Sequence, residues 1–203
     1  FPQNAEQQAA LETLVLGPGK DSGPMPAMRD YTPRRYDLEL GELDIDFVLH
    51  GDGPASTWAE QAAPGQFLHI GGPRGSMVVP DIFDSYLLIG DETALPAIAR
   101  RLEELPAGRQ VLAVIEVQNA AERQALDSAA QVQVIWVERD AGGQDLISTV
   151  RQVQVPQGKL YAWVATESKV SRQVRRVLLD EHQLNDEFVK AAGYWRLDSS
   201  EEE

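Results

Sequence analysis

The chain has 203 residues, 43% of them hydrophobic and 25% charged, the balance of a globular protein long enough for one or two cored domains. Eighteen lysines and arginines face 32 acidic residues, a formal net charge of −14, which repels phosphate backbones and anionic headgroups and argues against nucleic-acid or membrane binding. Cysteine is absent, excluding disulfides, thiolate-bound metal and thiol nucleophiles within these residues; with no apolar run near the ~20 residues that span a bilayer, the expectation is a soluble cytoplasmic protein.

Residues 1–80 are rich in glycine and proline and show no long amphipathic helix pattern. Tyr36, Leu38 and Leu40 alternate with Asp37 and Glu39, and Ile45, Phe47 and Leu49 with Asp44 and Asp46. This period of two predicts antiparallel strands of a small barrel or sandwich. Residues 1–35 carry little strand pattern, and residues 36–80 hold too few strands to close a barrel. The expectation is therefore an incomplete N-terminal domain over residues 1–82. From residue 83 to 203 the pattern changes. Apolar runs Tyr86–Ile89, Val111–Val117, Val132–Val137 and Leu160–Ala165 are separated by helical stretches. Leu95, Ile98, Ala99, Leu102 and Leu105 share one helical face, as do Val170, Val174, Val177 and Leu178. Near-continuous apolar strands alternating with helices predict a parallel sheet covered on both faces, hence a β domain followed by an α/β domain.

Five stretches can carry chemistry. Arg29, Tyr31 and Thr32, with Arg34 and Arg35, form an anion-attracting spot in an acidic chain. On extended backbone Arg29 and Tyr31 share a face, so one can grip a diphosphate while the other stacks on a flat heterocycle. A surface cluster offsetting nearby carboxylates is the competing reading. His50-Gly51-Asp52-Gly53-Pro54-Ala55-Ser56-Thr57-Trp58-Ala59-Glu60 reads as strand end, glycine turn and helix start, with Thr57 and Glu60 at capping-box spacing. Orphan N–H groups at such a start bind phosphate, or simply end a capped turn. Gly90-Asp91-Glu92-Thr93-Ala94-Leu95-Pro96 is a strand–turn–helix at the first crossover of the second domain, where parallel sheets place nucleotides. It lacks the usual glycine fingerprint, and two carboxylates are awkward beside a pyrophosphate. Trp163-Val164-Ala165-Thr166-Glu167-Ser168 is a second such switch. Gly193-Tyr194-Trp195-Arg196 is either a core plug or a cover for a flat cofactor.

In this order the stretches resemble the siderophore-interacting protein family of flavin-dependent ferric-siderophore reductases, a branch of the ferredoxin-reductase-like flavoproteins. Pro64-Gly65 and Gly72-Pro73-Arg74-Gly75-Ser76 belong to the same set, which runs from about residue 29 to 196. The resemblance implies an antiparallel barrel binding FAD, an α/β domain binding NADPH or NADH, and FAD in the cleft between them. It assigns Arg29 to the FAD pyrophosphate, Tyr31 to the isoalloxazine face and Thr32 to the flavin edge near N5. It assigns His50, Asp52, Gly53, Ala55, Ser56 and Trp58 to the phosphates and adenosine side. Gly90, Asp91, Thr93 and Glu167 fall to the nicotinamide end, and Trp195 covers the flavin or walls the substrate cleft. Catalytic roles fall to Tyr31, Thr32 and Thr93. Two departures stand out. Thr166 occupies a position that is usually glycine, which narrows that turn, and family members begin with barrel strands upstream of this chain.

The expected reaction passes hydride from the nicotinamide to the flavin and then single electrons to Fe(III) in a bound chelate. Iron is substrate, and no resident metal is expected, because His50, His69 and His182 are scattered and read as structural histidines. An anionic ferric siderophore facing a −14 protein needs a local basic wall, for which Arg34, Arg74, Lys190 and Arg196 are candidates. Glu116 could bond ribose hydroxyls and favour NADH, whereas Arg139 and Arg123 could receive a 2′-phosphate; the expectation leans to NADPH. A monomer is the default. The alternatives are a flavin-dependent NAD(P)H oxidoreductase with another acceptor, and a non-catalytic siderophore-binding protein.

Overall fold

A computed structural model describes residues 1, 4–15, 26–51, 53–73 and 75–197. They divide into two compact units, one of Phe1–Tyr31 with Ile45–Val79, the other of Thr32–Asp44 with the chain from Pro80 onward. Among the described residues, no helix is long and apolar enough to cross a membrane.

The first unit contains helix α1 (Ala5–Val15) and helix α2 (Pro54–Gln61). The periodicity did not predict α1. It is weakly amphipathic and forms on propensity: alanine, leucine, glutamate and glutamine fill it, and the Asn4 carboxamide caps it by accepting from the Gln7 N–H at 2.9 Å. Helix α2 begins at Pro54 with Gly53 as its cap residue, four positions before the Thr57 cap expected from the sequence. Proline at a first helical position has no N–H to orphan, so the start is set there and Thr57 N–H donates to the Gly53 carbonyl at 3.0 Å.

The one hairpin among residues 26–80 joins strands β1 (Pro33–Asp37) and β2 (Glu42–Ile45). It lies earlier than the alternation predicted. Asp37 Oδ1 accepts the N–H groups of Glu39 and Leu40 at 3.0 and 2.9 Å, and Gly41 supplies a left-handed φ of +67°. That local side-chain bonding turns the chain where a strand was expected. Leu38 and Leu40 sit in the turn, 82% and 69% exposed, and Phe47 and Leu49 lie beyond the end of β2. No closed barrel forms among the described residues. His50, read as a strand end, and His69 are both exposed on irregular backbone.

The second unit is a five-stranded parallel sheet of β3 (Ser85–Gly90), β4 (Gln110–Val117), β5 (Gln131–Glu138), β6 (Leu160–Glu167) and β7 (Val189–Trp195), in the order β5-β4-β3-β6-β7. Helices α3 (Leu95–Glu104), α4 (Leu146–Gln152) and α5 (Ser168–Arg176) cover it. Leu87 and Ile89 of β3 join Val114, Leu146, Val150, Val164, Val174 and Leu178 in one core. On the other face Gly90 meets Ala94 and Ile98 of the α3 region. Sheet faces buried on both sides explain why these strands read as unbroken apolar runs. The chain builds outward from β3 to β5, then returns to place β6 on the other side of β3. The strand order reverses there, and the carboxyl ends of β3 and β6 flank the crevice in which such sheets bind ligands.

Candidate functional site

Three segments converge at that reversal. Gly90 closes β3 and must be glycine because α3 approaches it: a Cβ there would stand 2.6 Å from Ala94 Cβ and 3.2 Å from the Ala165 carbonyl. Next comes Asp91, 2% exposed. Its Oδ1 accepts the Thr93 hydroxyl at 2.5 Å and the Thr93 N–H at 3.0 Å, and its Oδ2 accepts the indole N–H of Trp195 at 2.8 Å. Burial pushes the Asp91 carboxyl up; the bonds from Thr93 and Trp195 oppose that shift without cancelling it.

Glu167 ends β6, 4% exposed, and caps α5 by accepting the N–H groups of Lys169 and of Val170, the latter at 3.0 Å. Burial raises its carboxyl, but the backbone donors outweigh burial and hold it below the usual range. Among the described residues its Oε1 has no side-chain hydrogen-bond partner. Ser168 Oγ donates to the Trp195 carbonyl at 2.8 Å. Thr166 is buried, with its hydroxyl donating to the Glu167 carbonyl at 3.0 Å, and the β6–β7 register shifts between Thr166 and Glu167. Gly193-Tyr194-Trp195 is not a core plug: it ends an edge strand, with Tyr194 43% and Trp195 40% exposed. Tyr194 hydrogen-bonds Thr32, and burial raises its hydroxyl.

Toward β4 and β5 the same edge carries a charged network. Arg139 bonds Glu92, Glu116 at 3.1 Å and Gln118 at 3.0 Å. Arg123 pairs with Glu138. Burial raises the Glu116 carboxyl, and Arg139 opposes it. The two carboxylates that looked misplaced in the turn are thus both engaged inside the protein: Asp91 by Trp195 and Thr93, Glu92 by Arg139.

In the first unit Tyr31, Phe47, Trp58 and Phe1 form one aromatic group. Ring centroids are 4.6 Å apart for Tyr31–Phe47, 5.7 Å for Phe47–Trp58 and 6.0 Å for Phe1–Trp58. Burial raises the Tyr31 hydroxyl while the Arg29 charge lowers it; the Arg29 guanidinium bonds the Met28 carbonyl at 2.8 Å. A cleft of about 920 Å³ is lined by Gly53, Pro54, Thr57, Trp58, Phe67 and His69, among others. Gly53 holds a φ of +94°, and His50 N–H donates to Ser56 Oγ at 3.1 Å, bracing the turn. Ala55 and Ser56 are buried, so what they can offer a ligand is backbone N–H at the start of α2. Asp52 and Arg74 lie outside the described residues.

Arg34 is held by both Glu103 oxygens, at 2.6 and 3.1 Å. Arg35 bonds Asp37, Glu42 and Asp44. Lys190 starts β7 and Arg196 follows its end, about 20 Å apart at ~3.3 Å per residue. Phe1 and Phe47 in the aromatic group and the Asp91–Trp195 bond were not foreseen; no spacing rule joins residues so far apart.

Residues 83–198 match the family profile described as Siderophore-interacting protein, and residues 1–77 match the Siderophore-interacting FAD-binding domain. The NADPH-dependent ferric-chelate reductase of Escherichia coli K12 is 38% identical over 176 residues, covering 85% of this chain and 68% of that protein. The ferric vibriobactin reductase ViuB of Vibrio cholerae is 33% identical over 182 residues, covering 87% and 67%. Among solved structures, a siderophore utilization protein from T. fusca superposes with a TM-score of 0.76 at 39% identity, covering 85% of this chain and 69% of that one. The protein SipS from Aeromonas hydrophila gives 0.73 at 32% identity, covering 85% and 75%.

Proposed function

The chain belongs to the siderophore-interacting protein family, and from that premise we propose that it is an FAD-dependent NADPH oxidoreductase that reduces siderophore-bound Fe(III) to Fe(II). The observation that carries the reading is the interlock of Asp91, Thr93 and Trp195 at the strand reversal, in a chain whose first 77 residues match an FAD-binding domain.

The residues of the first unit fit FAD. A half-buried aromatic group with Tyr31 partly open to solvent, a cleft within the size range of cofactor sites, a left-handed glycine and the open start of α2 are what a flat ring and a diphosphate require. When bound, the flavin supplies hydride acceptance and one-electron donation. Tyr31 presents its ring to the cofactor, and Arg29 opposes the diphosphate charge. Gly53 lets the backbone come close, and Ala55 and Ser56 present their N–H groups. In the second unit Gly90 and Thr93 receive the nicotinamide nucleotide, with Glu167 and Trp195 beside them. Arg34 is neutralised by Glu103, so Arg196, at the carboxyl edge, is the candidate for drawing in an anionic chelate. Hard oxygen chelators hold Fe(III) much more tightly than Fe(II), so reduction releases the metal. The proposed setting is the cytoplasm, where NADPH is supplied. The proposed state is a monomer, each site being built from one chain.

Arg139 is the group suited to a 2′-phosphate, since it can exchange a carboxylate partner for a phosphate oxygen. Replacing Arg139 with alanine should raise KM for NADPH about tenfold or more, the worth of a charge-assisted hydrogen bond, and leave KM for NADH within about twofold. Equal effects on both nucleotides would remove Arg139 from that role.

The activity itself is tested by mixing FAD-loaded protein, NADPH and a panel of ferric chelates with a chromogenic Fe(II) trap. Fe(II) should appear only when all components are present. NADPH consumption without Fe(II) from any chelate would point to an oxidoreductase with another acceptor. Chelate binding without NADPH consumption would point to a binding protein.

A further inference from the structure

The β3–α3 turn and the end of β7 are 104 residues apart in sequence, yet a single buried carboxylate joins them. Asp91 spends one oxygen on Thr93 and the other on the Trp195 indole, and is itself 2% exposed. Trp195 is held a second time through its backbone, where Ser168 Oγ bonds its carbonyl. Gly193 makes room for that bond, since a Cβ there would come 2.9 Å from Ser168 Cα. Trp195 is nonetheless 40% exposed. An aromatic ring fixed at its N–H and its backbone, but open to solvent, is a preset flat surface. A mere filler of the core would be covered, and a mere surface tryptophan would not be tied to a buried acid.

We propose that Asp91 is a positioning residue of the NADPH site, holding the Trp195 indole as a fixed wall beside Thr93 so that a nicotinamide entering the strand-reversal crevice meets a surface already in place. The inference rests on the NADPH reading above. Both Asp91 oxygens are already engaged, so in this proposal it acts through Trp195 and Thr93. This gives the carboxylate of the turn a reason to be there. A glycine at residue 91 would leave the indole N–H without its acceptor and Thr93 without its anchor.

The test has two arms. The first uses cofactor-free protein and follows hydrogen exchange of the Trp195 indole N–H by NMR, the signal assigned by its loss in Trp195→Phe. Exchange should quicken about tenfold or more in Asp91→Ala, as expected when a charged acceptor is lost. It should stay within about threefold of wild type in Asp91→Asn, whose one carbonyl can still serve the indole. The second arm is the stopped-flow rate of flavin reduction by NADPH. That rate should fall about tenfold in Asp91→Ala with little change in NADPH Kd, and Asp91→Asn should recover most of it. Trp195→Phe, which keeps a ring but removes the N–H, should lose rate to a similar degree and stands in if Asp91→Ala does not fold. Unchanged indole exchange in Asp91→Ala would overturn the clamp. Full reduction rate in Asp91→Ala or in Trp195→Phe would overturn its role in positioning. A wild-type protein that NADPH does not reduce would instead overturn the NADPH reading, while the exchange arm still reports on the clamp.

Discussion

Replacing Gly90 with valine is expected to unfold the second unit at a markedly lower temperature. Gly90 has an ordinary φ; what demands glycine is the closeness of Ala94, Ile98 and the Ala165 carbonyl, at 2.6, 3.0 and 3.2 Å from any added Cβ. Two of those neighbours belong to the α3 region and one is backbone of the interior strand β6, so none can yield by rotating a surface side chain. Overpacking of this kind costs about 1–3 kcal/mol and more when backbone must move. A β-branched side chain adds two further methyl groups at the same spot. For a chain of this length about 3 kcal/mol lowers Tm by roughly 6–12 °C. Gly90→Ala should show a smaller loss in the same direction. Thermal melts of the two variants check the series; a valine variant as stable as wild type would mean that α3 does not pack on the end of β3 as described.

Tyr31→Ala should weaken FAD binding by about 10–100-fold. The ring stands 4.6 Å from Phe47 and 6.4 Å from Phe1, yet is 37% exposed, so part of its face is free for a ligand. A lost aromatic contact is worth about 0.5–1.5 kcal/mol beyond the apolar area removed from water, and the third or so of Tyr31 still open to solvent adds about a third of the roughly 1.5–3 kcal/mol that full burial of a large side chain contributes. Tyr31→Phe should bind FAD nearly as wild type, because the ring supplies the surface and the hydroxyl does not. Fluorescence titration of FAD into the two variants separates these outcomes. Equal affinity in Tyr31→Ala would move the flavin away from this aromatic group.

What the sequence made legible follows from where the burial is. The interior strands of the second unit are apolar on both faces, so their runs stood out; Val111–Val117 was expected and Gln110–Val117 is found. The edge strand β7 escaped notice because Lys190, Ala191, Ala192 and Gly193 are exposed and small or polar, and such a strand owes its place to pairing with β6. Helix α1 escaped because propensity and a cap, without a sharp apolar stripe, hold it. The hairpin was misplaced by a few residues because one carboxylate, Asp37, bonds backbone in preference to continuing a strand.

The site was legible to the same degree. Turns at Gly90 and Glu167 stood out because glycine and capping acids at strand ends are local signals. Which group each acid serves was not, since Asp91 finds Trp195 and Glu92 finds Arg139 only through the order of the sheet. Arg34 looked available for an anionic substrate because its partner Glu103 lies 69 residues away.

Electron flow from NADPH through the flavin to chelated iron is tested most directly by the visible absorbance of the FAD-loaded protein under argon. The flavin colour should fade when NADPH is added and return when a ferric siderophore follows. Colour that NADPH leaves untouched, or that no ferric chelate restores, would contradict that path.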